Sequence, residues 1–124
     1  MRERNRRGCG CYKERYNRWL EPSILYLLLG GKKHGYELMN ELPDLGFVAS
    51  PVDPGAIYRT LRHMEDVGLV ESEWDTGGSG PAKRVYLITG WGQDQLNLWK
   101  TELENRRNAL DAFLIKLQKS MQDF

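Results

Sequence analysis

The chain has 124 residues, enough for one domain with an appended element and a modest core. Hydrophobic residues make up 40% and charged residues 28%, an ordinary globular balance, and the longest apolar run, Ile24 to Leu29, falls far short of the roughly 20 residues of a spanning helix. Net charge is only +1 and no apolar segment ends in a secretory cleavage site, so a membrane span, a secreted location and a uniformly basic surface are all disfavoured; the expected location is cytoplasmic.

The charge is unevenly placed. Residues 1–20 carry seven Lys/Arg against Glu3 and Glu14, while the remainder carries eleven basic and fifteen acidic side chains. Residues 1–19 therefore form a basic N-terminal arm suited to a polyanion, or equally a solvated tail. Tyr12, Tyr16 and Trp19 follow a helical spacing there, weakened by Gly8 and Gly10. From Pro22 to Leu29 the spacing predicts a short buried helix that ends at Gly30-Gly31.

A second helix is expected from His34-Gly35-Tyr36, with Leu38, Leu42 and Leu45 at i, i+4 and i+7. Pro43 ends it near Leu42 and leaves Asp44-Leu45-Gly46 as a turn. Asp53-Pro54-Gly55 is a strong helix start: Asp53 caps free N–H groups, and Pro54 sits where its missing donor costs nothing. That third helix runs to about Val67, with Gly68 as the stop. Leu69 to Trp74 alternates as a strand, Asp75 to Pro81 is a flexible turn, and Val85 to Ile88 returns, which together make a β-hairpin wing.

Thr89 can cap the last helix, although Gly90 and Gly92 in its first turn argue for a loose start. Leu96, Leu103, Leu110 and Leu117 then recur every seven residues, with Trp99 and Phe113 three further on and Arg106 and Ser120 breaking that second series. About 30 residues of helix reach roughly 45 Å, too long for so small a core to cover, so the stripe is expected to pair with a second subunit. The expected architecture is mainly α with a small β-hairpin: an arm over 1–19, a winged helix-turn-helix over 20–89, and a dimerisation helix over 90–124.

The third helix is where function is expected. Ile57, Leu61 and Met64 form its inward stripe, and Gly55, Tyr58, Arg59, Arg62 and Asp66 cluster on the other side. Arginine forks, a phenol and a bare glycine backbone suit a major groove. An ordinary amphipathic helix also shows solvated arginines, so it is the helix-turn-helix-plus-wing order that shifts the balance toward DNA. Lys83 and Arg84, at the return of the Gly-rich turn, are what a wing uses on phosphate or in a minor groove.

His34-Gly35-Tyr36-Glu37-Leu38, Gly55-Ala56-Ile57-Tyr58-Arg59-Thr60-Leu61, and Met64-Glu65 with Gly68-Leu69-Val70 resemble the PadR family of bacterial regulators. Gly80-Pro81-Ala82-Lys83-Arg84-Val85-Tyr86, followed by Ile88-Thr89 and Gly92, is similar to that family's wing and the start of its last helix. The resemblance spans roughly residues 20–100 and fits the branch with a single C-terminal helix; Pro43 departs from the pattern and shortens the second helix. It implies a homodimeric repressor of double-stranded operator DNA, relieved by a small molecule, with DNA contacts at Tyr36, Tyr58, Arg59, Arg62, Lys83 and Arg84. Tyr36 either reaches phosphate or packs half-buried under the first helix.

Some relatives in this branch bind flat aromatic compounds between tryptophans at the dimer interface. Trp91 and Trp99 are the candidate residues here, although the tryptophan of those relatives aligns with Leu103, and Trp99 equally suits core or interface packing. Cys9 and Cys11 could offer four thiolates to a metal across a dimer, sense redox state, or simply be reduced thiols. His34 and His63 are too far apart to add ligands. No nucleophile motif, phosphate loop or metal-spaced helix points to an enzyme or a cofactor. Two rival functions stay open: a winged-helix protein-interaction module without DNA binding, and a thiol-based metal or redox sensor.

Overall fold

The computed structural model describes residues 19–46, 52–78 and 80–123. In chain order the elements are α1 (Leu20–Leu28), β1 (Lys33–His34), α2 (Gly35–Glu41), a 3-10 turn (Leu42–Leu45), α3 (Pro54–Asp66), β2 (Val70–Asp75), β3 (Lys83–Ile88) and α4 (Gly90–Gln122). The strands form one antiparallel sheet in the order β1-β3-β2. The architecture is thus mainly helical with a small sheet, as expected, and the hairpin gains a short third strand. Lys33 and His34 pair with Tyr86 and Val85 along the inner edge of β3.

Local chemistry accounts for most of the boundaries. α1 begins two residues before Pro22, which lies in the first turn where a proline N–H is not needed. At the start of α2 the Glu37 carboxylate turns back to accept from the His34 backbone N–H at 2.8 Å. Pro43 tightens the chain into the 3-10 turn, and Gly46 closes it with φ +86°. Asp53 caps α3 by accepting from the Gly55 N–H at 3.1 Å, and Pro54 occupies the first helical position.

Leu20, Ile24, Leu25, Leu28, Leu38, Leu42, Ile57, Leu61, Met64 and Val70 are fully buried in one core beneath α1, α2, α3 and the sheet. Each buried side chain of this size stabilises the fold by about 1.5–3 kcal/mol before chain entropy is counted. The α3 stripe therefore fixes which face the helix turns outward.

The start of α4 is tight, contrary to expectation. Thr89 Oγ1 accepts from the Gly92 N–H at 3.0 Å and donates to the Gly68 carbonyl at 2.6 Å. Gly92 is buried where a Cβ would overlap the Leu69 carbonyl oxygen and come within 2.7 Å of Ile88 Cγ1. Glycine is there for close approach of helix to strand, so its helix-weakening tendency is overridden.

The seven-residue stripe of α4 also divides in two. Leu96 and Trp99 pack against the chain's own core, and the Trp99 indole N–H donates to Glu21 of α1 at 2.7 Å. Farther along, Leu110 and Phe113 are 63% and 58% exposed, and Leu117 is exposed beyond them. Of the stripe, Leu110, Phe113 and Leu117 are the members that the chain's own core leaves uncovered. No helix among the described residues is long and apolar enough to cross a membrane.

Candidate nucleic-acid interface

With Ala56, Ile57, Leu61 and Met64 buried, α3 turns Tyr58, Arg59 and Arg62 to solvent. The Tyr58 ring is seated on the start of α2. A Cβ at Gly35 would lie 2.8 Å from both its hydroxyl oxygen and its Cε1, so only glycine leaves room for the phenol in this position. Gly55, at the helix start, lies under the Arg59 guanidinium, and Arg59 Nη2 stands 3.9 Å from Asp53 Oδ2. That pair is solvated and long, so Arg59 is free to exchange its partner for a phosphate at little cost.

The wing meets α3 through one carboxylate. Glu65 accepts from Ser72 Oγ of β2 at 2.6 Å and stands 3.7 Å from Arg84 Nη1 of β3. Ser72, Trp74, Arg84 and Tyr86 share one face of the sheet by strand alternation and cross-strand register, and the Ser72–Glu65 bond shows that this face is turned toward α3. Arg84 lies 4.9 Å from the centroid of the Trp74 ring across the strand pair. Deeper in, burial raises the Tyr86 phenol above its usual pKa, countered by Arg84 and Arg62 and reinforced by Glu65 and Tyr58. The Tyr86 ring thus lies near the junction at which α3 and the wing converge.

A second junction joins the wing to α2. His34 Nδ1 lies 2.8 Å from Glu37 Oε1, and its Nε2 lies 3.0 Å from Asp75 Oδ2 at the end of β2. A ring flanked by carboxylates at both nitrogens donates to both only as imidazolium, and the bonds to Glu37 and then Asp75 raise its pKa. The backbone N–H groups of His34 and Gly77, and after them the same ring bonds, lower the pKa values of Glu37 and Asp75 respectively. Tyr36 stacks on His34 with 5.3 Å between centroids, and Lys83 Nζ stands 5.1 Å from the centre of the Tyr36 ring. Tyr36 is therefore part of the wing base, exposed beside Lys83, and not a phenol tucked under α1.

Tyr36, Tyr58 and the wing cations are thus tied to one framework of α2, α3 and the sheet. Trp91 and Trp99 do not form a matched pair: Trp91 is 73% exposed, while Trp99 is half-buried and edge-on to Trp19 at 6.1 Å. Cys9 and Cys11 lie outside the described residues, as does the basic arm through residue 18. Among the described residues no group of three or more His, Cys, Asp or Glu is placed to hold a metal ion. Sequence reasoning missed Glu65, Trp74 and Tyr86. Alternation along the hairpin would have put Trp74 and Tyr86 on one face, but not toward α3.

Comparison with known proteins finds the same fold elsewhere. A PadR-like transcriptional regulator from Bacillus cereus is 31% identical, with a TM-score of 0.66 over 77% of this chain and 91% of that one. A PadR family regulator from Eggerthella lenta shares the fold over 92% of this chain and 97% of its own, at 24% identity and a TM-score of 0.71. Bacillus subtilis PadR, solved in complex with operator DNA, is 28% identical and matches 64% of this chain and 45% of its own length with a TM-score of 0.58. The family's sequence profile matches residues 24–98, and with the fold and the α3–wing geometry it leads to one assignment: the chain belongs to the PadR-like family of transcriptional regulators.

Proposed function

We propose that the protein is a sequence-specific, homodimeric repressor that grips double-stranded DNA with α3 and the wing and releases it on binding a small ligand. The observation that carries this reading is the joint display of Tyr58, Arg59 and Arg62 on α3 with Arg84 on the sheet face turned to them. Arg62 and Arg59 supply base or phosphate contacts in the major groove, and Lys83, Arg84 and Tyr36 bind the flanking backbone. Two copies joined through α4 would set two recognition helices about 34 Å apart, one helical turn of a roughly palindromic operator. The uncovered distal stripe of Leu110, Phe113 and Leu117 supports that pairing.

A flat aromatic effector would meet the exposed Trp91 ring more readily than Trp99, whose indole is bonded to Glu21. A groove of about 650 Å³ between α1 and α4, floored by Tyr26, Leu29, Leu45 and Leu96, offers such a ligand further apolar surface. A repressor of this kind would act in the cytoplasm, where its operator is.

Anisotropy titration of the DNA upstream of its own gene, with Arg62→Ala alongside, tests the DNA reading. Wild type should bind with a steep salt dependence, and the variant should lose roughly 5- to 100-fold, as expected for a lost bidentate base contact. Weak and equal binding by both at physiological salt defeats it.

A further inference from the structure

We propose that Trp74 is itself a DNA-contacting residue, its ring lying against the sugar–phosphate edge of the duplex beside Arg84. This rests on the DNA-binding reading above and adds to the wing cations a contact at a residue which that reading does not use.

Trp74 is 60% exposed, near the end of β2. A tryptophan ring is large enough to dominate an interface when covered, and water is a poor environment for it. The fold does not supply the cover. On the same face of β2, Val70 is buried and Ser72 is bonded to Glu65, whereas Trp74 lies one step farther out. Arg84 approaches one side of the ring at 4.9 Å, and most of the ring stays open.

The chemistry around the ring selects the partner. An apolar protein surface would call for a contiguous apolar patch, yet the group against this ring is the Arg84 guanidinium, itself near Glu65, and the next residue on the same face of β2 is Ser72. The DNA backbone alternates apolar deoxyribose faces with anionic phosphates. An indole next to a guanidinium matches that alternation, with the ring on the sugar C–H surface, Arg84 on the phosphate, and the indole N–H as one further donor. The sheet face that carries both side chains is the one turned toward α3, so a duplex seated on Arg59 and Arg62 passes along it. Glu65 takes no part in the grip; it holds Arg84 at the ring until phosphate replaces it.

The test titrates wild type, Trp74→Ala, Trp74→Phe and Arg84→Ala against two labelled duplexes, the upstream DNA of its own gene and a mixed-sequence control, at several salt concentrations. Trp74→Ala should lose roughly tenfold on both duplexes, the size expected of one lost aromatic contact, and Trp74→Phe should recover to within about threefold. The salt slope should stay at the wild-type value in Trp74→Ala and fall by about one in Arg84→Ala. Intrinsic fluorescence should change on saturation with DNA in wild type and much less in Trp74→Phe. If Trp74→Ala binds like wild type, or loses salt slope as Arg84→Ala does, the contact is overturned while DNA binding stands. If wild type binds neither duplex, both readings fail together. Thermal unfolding of each variant confirms that the exposed position is altered without loss of the fold.

Discussion

The indole N–H of Trp99 donates to the Glu21 carboxylate at 2.7 Å, joining α4 to the first turn of α1 across 78 residues of sequence. Gln95 adds a longer bond to the same oxygen at 3.3 Å, and the Trp19 ring meets Trp99 edge-on. Replacing Trp99 with Phe keeps an aromatic body and leaves a part-buried carboxylate short of its best donor. The expected loss is about 1–2 kcal/mol of unfolding free energy by urea titration. A change below about 0.5 kcal/mol would mean that water replaces the donor without penalty.

The distal stripe of α4 bears on assembly. Leu110→Glu with Phe113→Glu places two carboxylates on the exposed apolar face without touching the core. Sedimentation at micromolar concentration should find wild type as a dimer and the double variant as a monomer, because unpaired buried carboxylates oppose association strongly. Wild type sedimenting as a monomer would remove the dimer from the proposed function.

Two glycines with crowded Cβ positions should respond in opposite ways. At Gly92 the obstruction is the Leu69 backbone and the root of Ile88, which cannot swing aside. Gly92→Ala should therefore cost about 1–3 kcal/mol or more, seen as a lower melting temperature. At Gly35 the obstruction is the far end of the Tyr58 side chain, which can rotate away. Gly35→Ala should melt within a few degrees of wild type, helped by alanine's helix propensity, and still bind DNA more weakly because the phenol has moved. Equal DNA affinity in that variant would show that the seat of Tyr58 is irrelevant to the grip.

The His34 bridge should make the wing junction pH-dependent. Its pKa is raised from the usual 6.5, so the bridge's stabilisation is complete below the unfolded-chain value and is lost as pH rises through the folded value. The Glu37 and Asp75 pKa values are lowered from 4.5 and 3.8, so their share is present above those values and is lost as pH falls through the depressed ones. The three charges coexist between these limits. The stability difference between wild type and His34→Gln should be largest near about pH 6 and shrink toward about pH 9. Denaturation curves in which the difference widens with rising pH would contradict the bridge.

α3 was almost wholly legible in the sequence, because Asp53, Pro54 and the Ile57-Leu61-Met64 period are local signals that the core then reinforces. β1 was not: two residues have no period, and Lys33 and His34 become a strand only through β3, about fifty residues away. Heptad spacing put Leu96 and Trp99 on the same stripe as Leu110, but a helix longer than its body changes neighbours along its length, and spacing does not say where. Gly92 reads as a helix breaker until Leu69 and Ile88 are known to press on it. The outward arginines were readable from α3 itself, whereas Glu65 and Trp74 acquire meaning only from the folded meeting of helix and hairpin.

α4 is one uninterrupted helix from Gly90 to Gln122, about 50 Å at 1.5 Å per residue, and among the described residues it meets the core through Leu96 and Trp99 in its first third. It therefore acts mechanically as a spar, with the Glu21–Trp99 joint as its mounting. From that joint to the far tip is roughly 35 Å, so a tilt of about ten degrees at the mounting displaces the tip by roughly 6 Å. In the proposed dimer the separation of the two reading heads is set by the angle of this mounting, since no flexible linker intervenes. A ligand wedged between α1 and α4 would need to turn the spar only slightly to put both heads out of step with the double helix.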